Sequence, residues 1–181
     1  MKTICPFDGF VKAAVLASGF GFGLFTVQPG FATTCIWTGG SGAWDNPANW
    51  STLTVPAAGD NVYITNNATL TVTVNSDMEF ASLAVGGTSG AITLNWNGGW
   101  LSGKLLLGPS AILNLVDDSN DHILDGVITN YGRINWQQSM WDFNNASRLE
   151  NQSGALLDVQ CDRTIVSLGA NNSPKTSESR T

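Results

Sequence analysis

The sequence predicts an all-β protein, a short right-handed parallel β-helix behind an N-terminal Trp/Gly-rich cap. The first sign is a short pattern that recurs at a fixed spacing. It is carried by Ser110-Ala111-Ile112-Leu113-Asn114, Gly132-Arg133-Ile134-Asn135-Trp136 and Gly154-Ala155-Leu156-Leu157-Asp158, and Leu105, Val127 and Leu149 keep the same interval. A period of about 22 residues marks a solenoid whose turns cover one another's apolar faces. The second sign is that only short strand-like pieces fit each interval, about three per coil, as a triangular β-helix needs. The third is composition. Only 12% of the 181 residues are charged and 20 are glycine, which favours many turns over long amphipathic helices.

Residues 1–32 differ in kind from the rest. Lys2 and Lys12 precede an uncharged apolar run from Ala13 to Val27, and Gly30-Phe31-Ala32 offers small residues at a cleavage site. This reads as a secretory signal peptide. The run is about 15 residues, short of the roughly 20 that a spanning helix needs, so no membrane span is expected once it is removed. Its removal takes away Cys5 and leaves Cys35 and Cys161. These lie at opposite ends of the predicted rod. A disulfide needs α-carbons within about 7 Å, so both are expected to be unpaired thiols.

Residues 33–69 form the cap module, dense in turn signals. Residues 70–170 form the coils, each about 22 residues long, the length of one solenoid repeat. Leu70–Val74, Leu83–Val85 and Ala91–Leu94 read as early strands. Ile112–Leu115, Ile134–Trp136 and Leu156–Val159 open three later coils. Ile123-Leu124, Met140–Phe143 and Thr164–Leu168 form a second set, and Leu105–Leu107, Val127–Thr129 and Arg148–Asn151 a third. The period places Ile112, Ile134 and Leu156 in one inward column. Asn130 and Asn151 fall near equivalent corners, where amides can stack, though one residue out of register. The polar stretch 171–181 reads as a disordered tail. With no cap over the last coil, the sequence suggests a fragment of a longer design or a truncated reading frame, and its open edge is expected to drive self-association.

The module Trp37-x-Gly39-Gly40-x-Gly42-x-Trp44-x-x-Pro47-x-Asn49-Trp50, followed by Val55-Pro56-x-x-Gly59-Asp60-x-Val62-x-Ile64, resembles the start of bacterial secreted β-helix proteins of the adhesin-like and autotransporter-passenger type. The resemblance covers Trp37 to Ile64 well and the repeats loosely. It implies a secreted or cell-surface β-helix that is structural or adhesive. Its partner would be a surface or extracellular glycan or protein. Unlike those relatives, the chain stops after about five coils and carries no translocator barrel.

Candidate chemistry is sparse. Asp117, Asp118 and Asp121 in one loop, with Asp125 nearby, supply the oxygen ligands calcium takes, but neither the sharp-turn glycine nor the distal glutamate of a calcium loop is there. The three aspartates are therefore expected to be exposed and unpaired. Cleavage of a polysaccharide needs paired carboxylates or a basic group beside acids; Asp158 and Asp162, with Arg133, Arg148 or Arg163, are the residues available. Most of the seven tryptophans are expected in the core or cap, and a surplus leaves glycan stacking open. Sequons begin at Asn49, Asn67, Asn145, Asn151 and Asn171. No Cys/His spacing suits zinc, and the single histidine is His122. A net charge of −6 excludes nucleic acid as a partner, since phosphates need a basic stripe. No cofactor is expected. The reading is a non-enzymatic secreted surface protein, with a lyase-like or hydrolase-like enzyme or a glycan-binding remnant as the alternative.

Overall fold

A computed structural model describes residues 32–117, 119–168 and 174–176. The leader-like residues 1–31 and Asp118 lie outside them, as does the rest of the expected tail. The described chain is all-β, with 53% of residues in strands and parallel sheets wound into a β-solenoid of about five turns. The strands are β1 Thr34–Ile36, β2 Gly42–Ala43, β3 Asn61–Ile64, β4 Leu70–Val74, β5 Met78–Val85, β6 Ile92–Trp96, β7 Gly99–Leu107 and β8 Ala111–Leu115. Then come β9 His122–Asn130, β10 Arg133–Trp136, β11 Trp141–Asn144, β12 Arg148–Asn151, β13 Leu156–Val159, β14 Ile165–Leu168 and β15 Pro174–Thr176.

One sheet stacks β2, β4, β6, β8, β10 and β13 in that order. The other runs β1, β3, β5, β7, β9, β11, β14 and β15, with β12 also paired to β9. That second sheet supplies two faces. The register of β5 shifts between Glu79 and Ser82, and Gly103 of β7 lies opposite Gly126 of β9. In the next coil the same corner opens, so β11 and β12 each pair with one half of β9. Glycine is required at this corner by close approach. A Cβ on Gly126 would stand 1.9 Å from the Gly103 carbonyl oxygen, and one on Gly103 would stand 2.1 Å from that of Phe80. Three paired segments per coil are thus found, but in the middle coils two of them run on as one bent strand, β5, β7 or β9, and three separate strands occur only in the coil of β10, β11 and β12 among the described residues.

Alternation sorts side chains inward and outward. Val72, Leu94, Leu113, Ile134 and Leu157 form one inward column. Its intervals are unequal, shortest between Leu94 and Leu113 and longest between Ile134 and Leu157. Val62, Leu83, Leu105, Ile128 and Leu149 form another column, also unevenly spaced. The expected column of constant period is thus corrected. Ile112 pairs with Arg133 on the outer side, and Leu156 is 47% exposed. Only Ile134 of the three is inward. A one-residue slip moves a side chain to the opposite face, and coils of unequal length make that slip.

The cap module joins the same sheets: β1 pairs with β3 and β2 with β4. Its tryptophans seal the first coil. Trp37, Trp44 and Trp50 are fully buried, with Trp50 edge-on to both of the others at centroid distances of 5.0 and 4.8 Å. Each such ring buries some 150–250 Å², a gross gain of about 4–6 kcal/mol at the usual area coefficient. Their N–H groups are satisfied where the rings are held: Trp50 Nε1 donates to the Trp44 carbonyl at 2.8 Å and Trp37 Nε1 to that of Gly40 at 3.0 Å. Asn46 caps the 3-10 turn Pro47–Asn49, its side chain accepting from Ala48 N–H. The Asn49 amide then folds into the glycine loop and donates to the Ala43 carbonyl at 3.0 Å. Gly39 and Gly42 are bare because a Cβ there would come within 2.6 and 2.9 Å of that amide. Asp60 closes the module, accepting from the backbone N–H of Thr33 and of Ala57 at 3.0 Å each. Burial acts to raise its pKa, but these bonds win and hold it below the usual carboxylate value.

At the other end, the polar stretch expected to lack structure contributes β15, which pairs antiparallel with β14 and covers that edge. β13 pairs only with β10 and leaves its other edge unpaired among the described residues, with Leu156 and Val159 exposed. Cys35 and Cys161 are both free.

The cap geometry predicts a coupled pair. Asn49→Ala should cost about 1–2 kcal/mol for the lost, partly buried hydrogen bond, and Gly39→Ala about 1–3 kcal/mol for the clash. The double variant should cost clearly less than the sum, because removing the amide makes room for the new methyl. Urea unfolding of the four proteins checks this; strict additivity would contradict it.

Candidate functional site

One organised surface is the outer side of the β4–β6–β8–β10–β13 sheet. Register places Thr73, Asn95, Asn114, Asn135 and Asp158 in one outward column, and Thr71, Thr93, Ile112, Arg133 and Leu156 in the next. The asparagines bond rung to rung. Asn114 Nδ2 donates to Asn95 Oδ1 at 2.8 Å, and Asn135 Nδ2 donates to Asn114 Oδ1 at 2.7 Å. A second ladder runs along a corner: Asn130 Nδ2 donates to Asn151 Oδ1 at 2.7 Å, and Asn130 Oδ1 accepts from Gly132 N–H. The two residues are direct register partners, although a constant 22-residue period sets them one residue out of register. Such ladders fix amide orientation, so the surface is rigid before anything binds it.

At the C-terminal end of the face Arg133 closes on Asp158 at 2.5 Å and on Asn135. The Asp158 carboxyl lies below its usual pKa, through hydrogen bonds from Gln160 and then Arg133. Both side chains are substantially exposed, so the pair adds little to stability. Arg148 is tied to Glu150 in the same manner. Asp162 and Arg163 are exposed beyond β13.

The acidic turn differs from expectation. Asp117 is half-buried and accepts from the Ser119 N–H and hydroxyl at 2.8 Å, a local turn bond that aspartate makes readily. Asp121 is exposed but accepts from the Ser139 hydroxyl at 3.2 Å. These carboxylates hold the chain's own backbone and side chains. Among the described residues no three His, Cys, Asp or Glu side chains converge on a metal position.

Six of the seven tryptophans are buried, and Trp100, at 39% exposure, stands out on the surface. Beside it lies a polar cleft of about 180 Å³ at the corner between β6 and β7, walled by Asn75, Asp77, Asn97 and Asn120. Sequence reasoning missed this group. Its signal was the Asn75/Asn97 spacing of one coil and the paired Gly98-Gly99 just before Trp100. The third face also carries an outward column of Ile36, Tyr63, Ala84 and Leu106. No helix among the described residues is long and apolar enough to cross a membrane. Comparison with known protein families, curated proteins and solved structures finds no match to this chain.

His122 sits inside the rod, with no exposed surface. Its Nε2 lies 2.8 Å from the Trp96 carbonyl oxygen, which can only accept, so Nε2 carries the proton. Nδ1 has no partner, and the ring packs edge-on to Trp96 at 4.7 Å. Burial lowers its pKa from the ordinary 6.5, outweighing the Trp96 bond and the charges of Asp117 and Asp121. The unfolded chain therefore takes up a proton that the folded one refuses. Stability should be full above about pH 6.5 and fall as pH drops below it, by up to about 1.4 kcal/mol per unit, until the folded ring itself protonates. Asp142, raised by burial and by Asp121, acts with the opposite sign, its contribution growing as pH falls through its folded pKa. The His122→Gln difference isolates the ring: thermal melts from pH 5 to 7.5 should show the slope in the parent and a flatter profile in the variant.

Proposed function

We propose that this protein is an exported surface or extracellular solenoid whose role is structural or adhesive. The observation that carries the reading is the outer Thr/Asn face with its interlocked amide ladder. Hydroxyl and amide groups set at strand spacing on a stiff sheet can engage an extended ligand through many weak contacts. Little conformational entropy is lost, because the side chains are already fixed. Repetition along the rod then raises avidity. The leader-like residues 1–32 support export, and the Trp/Gly module's likeness to adhesin-type β-helix proteins supports a surface location. The occupant would be a surface or extracellular glycan or protein.

Polysaccharide cleavage fits less well. It needs an acid and a base free to reach the sugar, and Arg133 is instead held by Asp158 and Asn135.

The test is adhesion. Beads coated with the protein should be retained under flow on surfaces bearing neutral glycan or matrix protein. Thr71→Lys with Ile112→Lys, both on the outer face, should cut retention about tenfold, a loss of some 1.4 kcal/mol, with melting temperature little changed. Release of reducing ends from soluble polysaccharides, or retention indifferent to these changes, would contradict the proposal.

A further inference from the structure

The cleft beside Trp100 has the makings of a ligand subsite. Met78 pairs with Leu101, so Asp77 and Trp100, one residue earlier on each strand, are outward neighbours on adjacent rungs. Asp77 Oδ1 accepts from the Trp100 backbone N–H at 2.9 Å, which fixes this lining carboxylate against the first residues of β7, next to the cleft-lining Gly99 that precedes Trp100. Across the floor Asn97 Nδ2 donates to Asn75 Oδ1 at 2.6 Å. That bond fixes both amides in the lining of the cleft and leaves Asn75 Nδ2 and Asn97 Oδ1 out of it. Asn120 forms the far wall.

The floor is kept bare. Gly98 and Gly99 have φ of +99° and +86°, and a Cβ on them would lie 2.5 Å from Asn120 Cβ and 2.7 Å from Asp77 Oδ1. Any side chain here would be strained and would also fill the cleft. The corner is open because the sequence places two glycines where the chain must turn.

We propose that this cleft and the Trp100 indole form a subsite for a single ring of a neutral glycan. The inference rests on the surface-binding reading above and names its ligand class. The chemistry matches on three counts. A sugar's ring face of C–H groups stacks on an exposed aromatic. Its hydroxyls both donate and accept, as asparagine amides do, and a carboxylate such as Asp77 accepts from two neighbouring hydroxyls. The volume, about 180 Å³, is below the roughly 300–1,000 Å³ of drug-sized sites, so it takes one ring with the rest of the chain lying along the rod.

Charge selects among sugars. Asp77 stands in the wall, Asp45 is hydrogen-bonded to Ser76 at the rim, and among the described residues no lysine or arginine lines the cleft. A uronate carboxylate would meet like charge with no counterion. Polyuronates are therefore disfavoured, and neutral hexoses fit.

The experiment uses the full chain and soluble hexasaccharides of β-1,4-linked glucose, mannose and galactose, with oligogalacturonate of the same length as the charged probe. Side-chain amide and indole N–H signals are followed by NMR. At least one neutral oligosaccharide should saturate shifts at Trp100, Asn75, Asn97 and Asn120, with oligogalacturonate at least about tenfold weaker. Trp100→Ala and Asn97→Ala should each weaken binding about tenfold, without lowering the melting temperature. Thr71→Lys with Ile112→Lys should leave it unchanged. No shift with any neutral probe at millimolar concentration, equal binding of oligogalacturonate, or binding that survives both cleft variants would overturn the proposal. Adhesion lost through the outer-face variant while the cleft signals stay silent would remove the subsite and leave the surface reading standing.

Discussion

Every coil of this rod must return to the same corner in register with the coil before it. Each parallel strand finds its hydrogen-bond partners one strand spacing away, and an unpaired backbone group in the interior costs about as much as the bond it forgoes. The ladder is therefore kept even where coil length is not. Val72, Leu94, Leu113, Ile134 and Leu157 hold one column although the coil shortens between Leu94 and Leu113 and lengthens between Ile134 and Leu157. The surplus and deficit are absorbed at corners. The bent β7 and β9 pass their corner on stacked glycines, while the next coil breaks there into β11 and β12. The variation thus falls where side chains face solvent, and the core sees an unbroken stack.

The same constraint creates the problem of the ends and the opportunity of the sides. A stacked coil leaves an apolar cross-section at its first rung, and three tryptophans cover it, locked by the Asn49 amide in the glycine loop. Along the sides, the register that aligns apolar residues inside also aligns polar residues outside. Asparagines one coil apart become amide ladders, and paired glycines beside an asparagine become a cleft. The surfaces proposed to bind a partner are by-products of the register that builds the core, which is why they come preorganised.

Much of this was legible in the sequence. The solenoid, its three segments per coil and the free thiols follow from spacing and alternation, and the Trp/Gly seal from the turn-rich module; Asn130 and Asn151, one residue out of step with a 22-residue period, nonetheless pair directly. What failed was fine register. Ile112-Leu113 and Leu156-Leu157 are each two adjacent aliphatics, so alternation gives no vote on which points inward; Arg133-Ile134 is unambiguous and is placed correctly. In the other column Leu105 and Leu149 are right, and Val127 yields to Ile128 for the same reason. The strand β15 was hidden because Pro174, Lys175 and Thr176 carry no periodic signal. The Trp100 cleft was hidden because its residues come from three coils and meet only once the coils are stacked. Local bonds of Asp117 and Asp121 were hidden because an aspartate in a loop reads alike whether it binds an ion, solvent or its own turn.

Register is also what a single measurement reaches most directly. In a Cys5→Ser, Cys35→Ala, Cys161→Ser background, Ile112→Cys with Arg133→Cys places two thiols on facing outward positions of β8 and β10. Neighbouring strands about 4.8 Å apart fall within the α-carbon range a disulfide tolerates. Mild oxidation of the folded monomer should therefore close this bridge in high yield, read as a mobility shift that reductant reverses. Ile112→Cys with Ile134→Cys, the pair that a strictly constant period would bring together, should stay reduced, because one side chain points out and the other in. Closure of the second pair in preference to the first would contradict the register on which the core, the ladders and the cleft all rest.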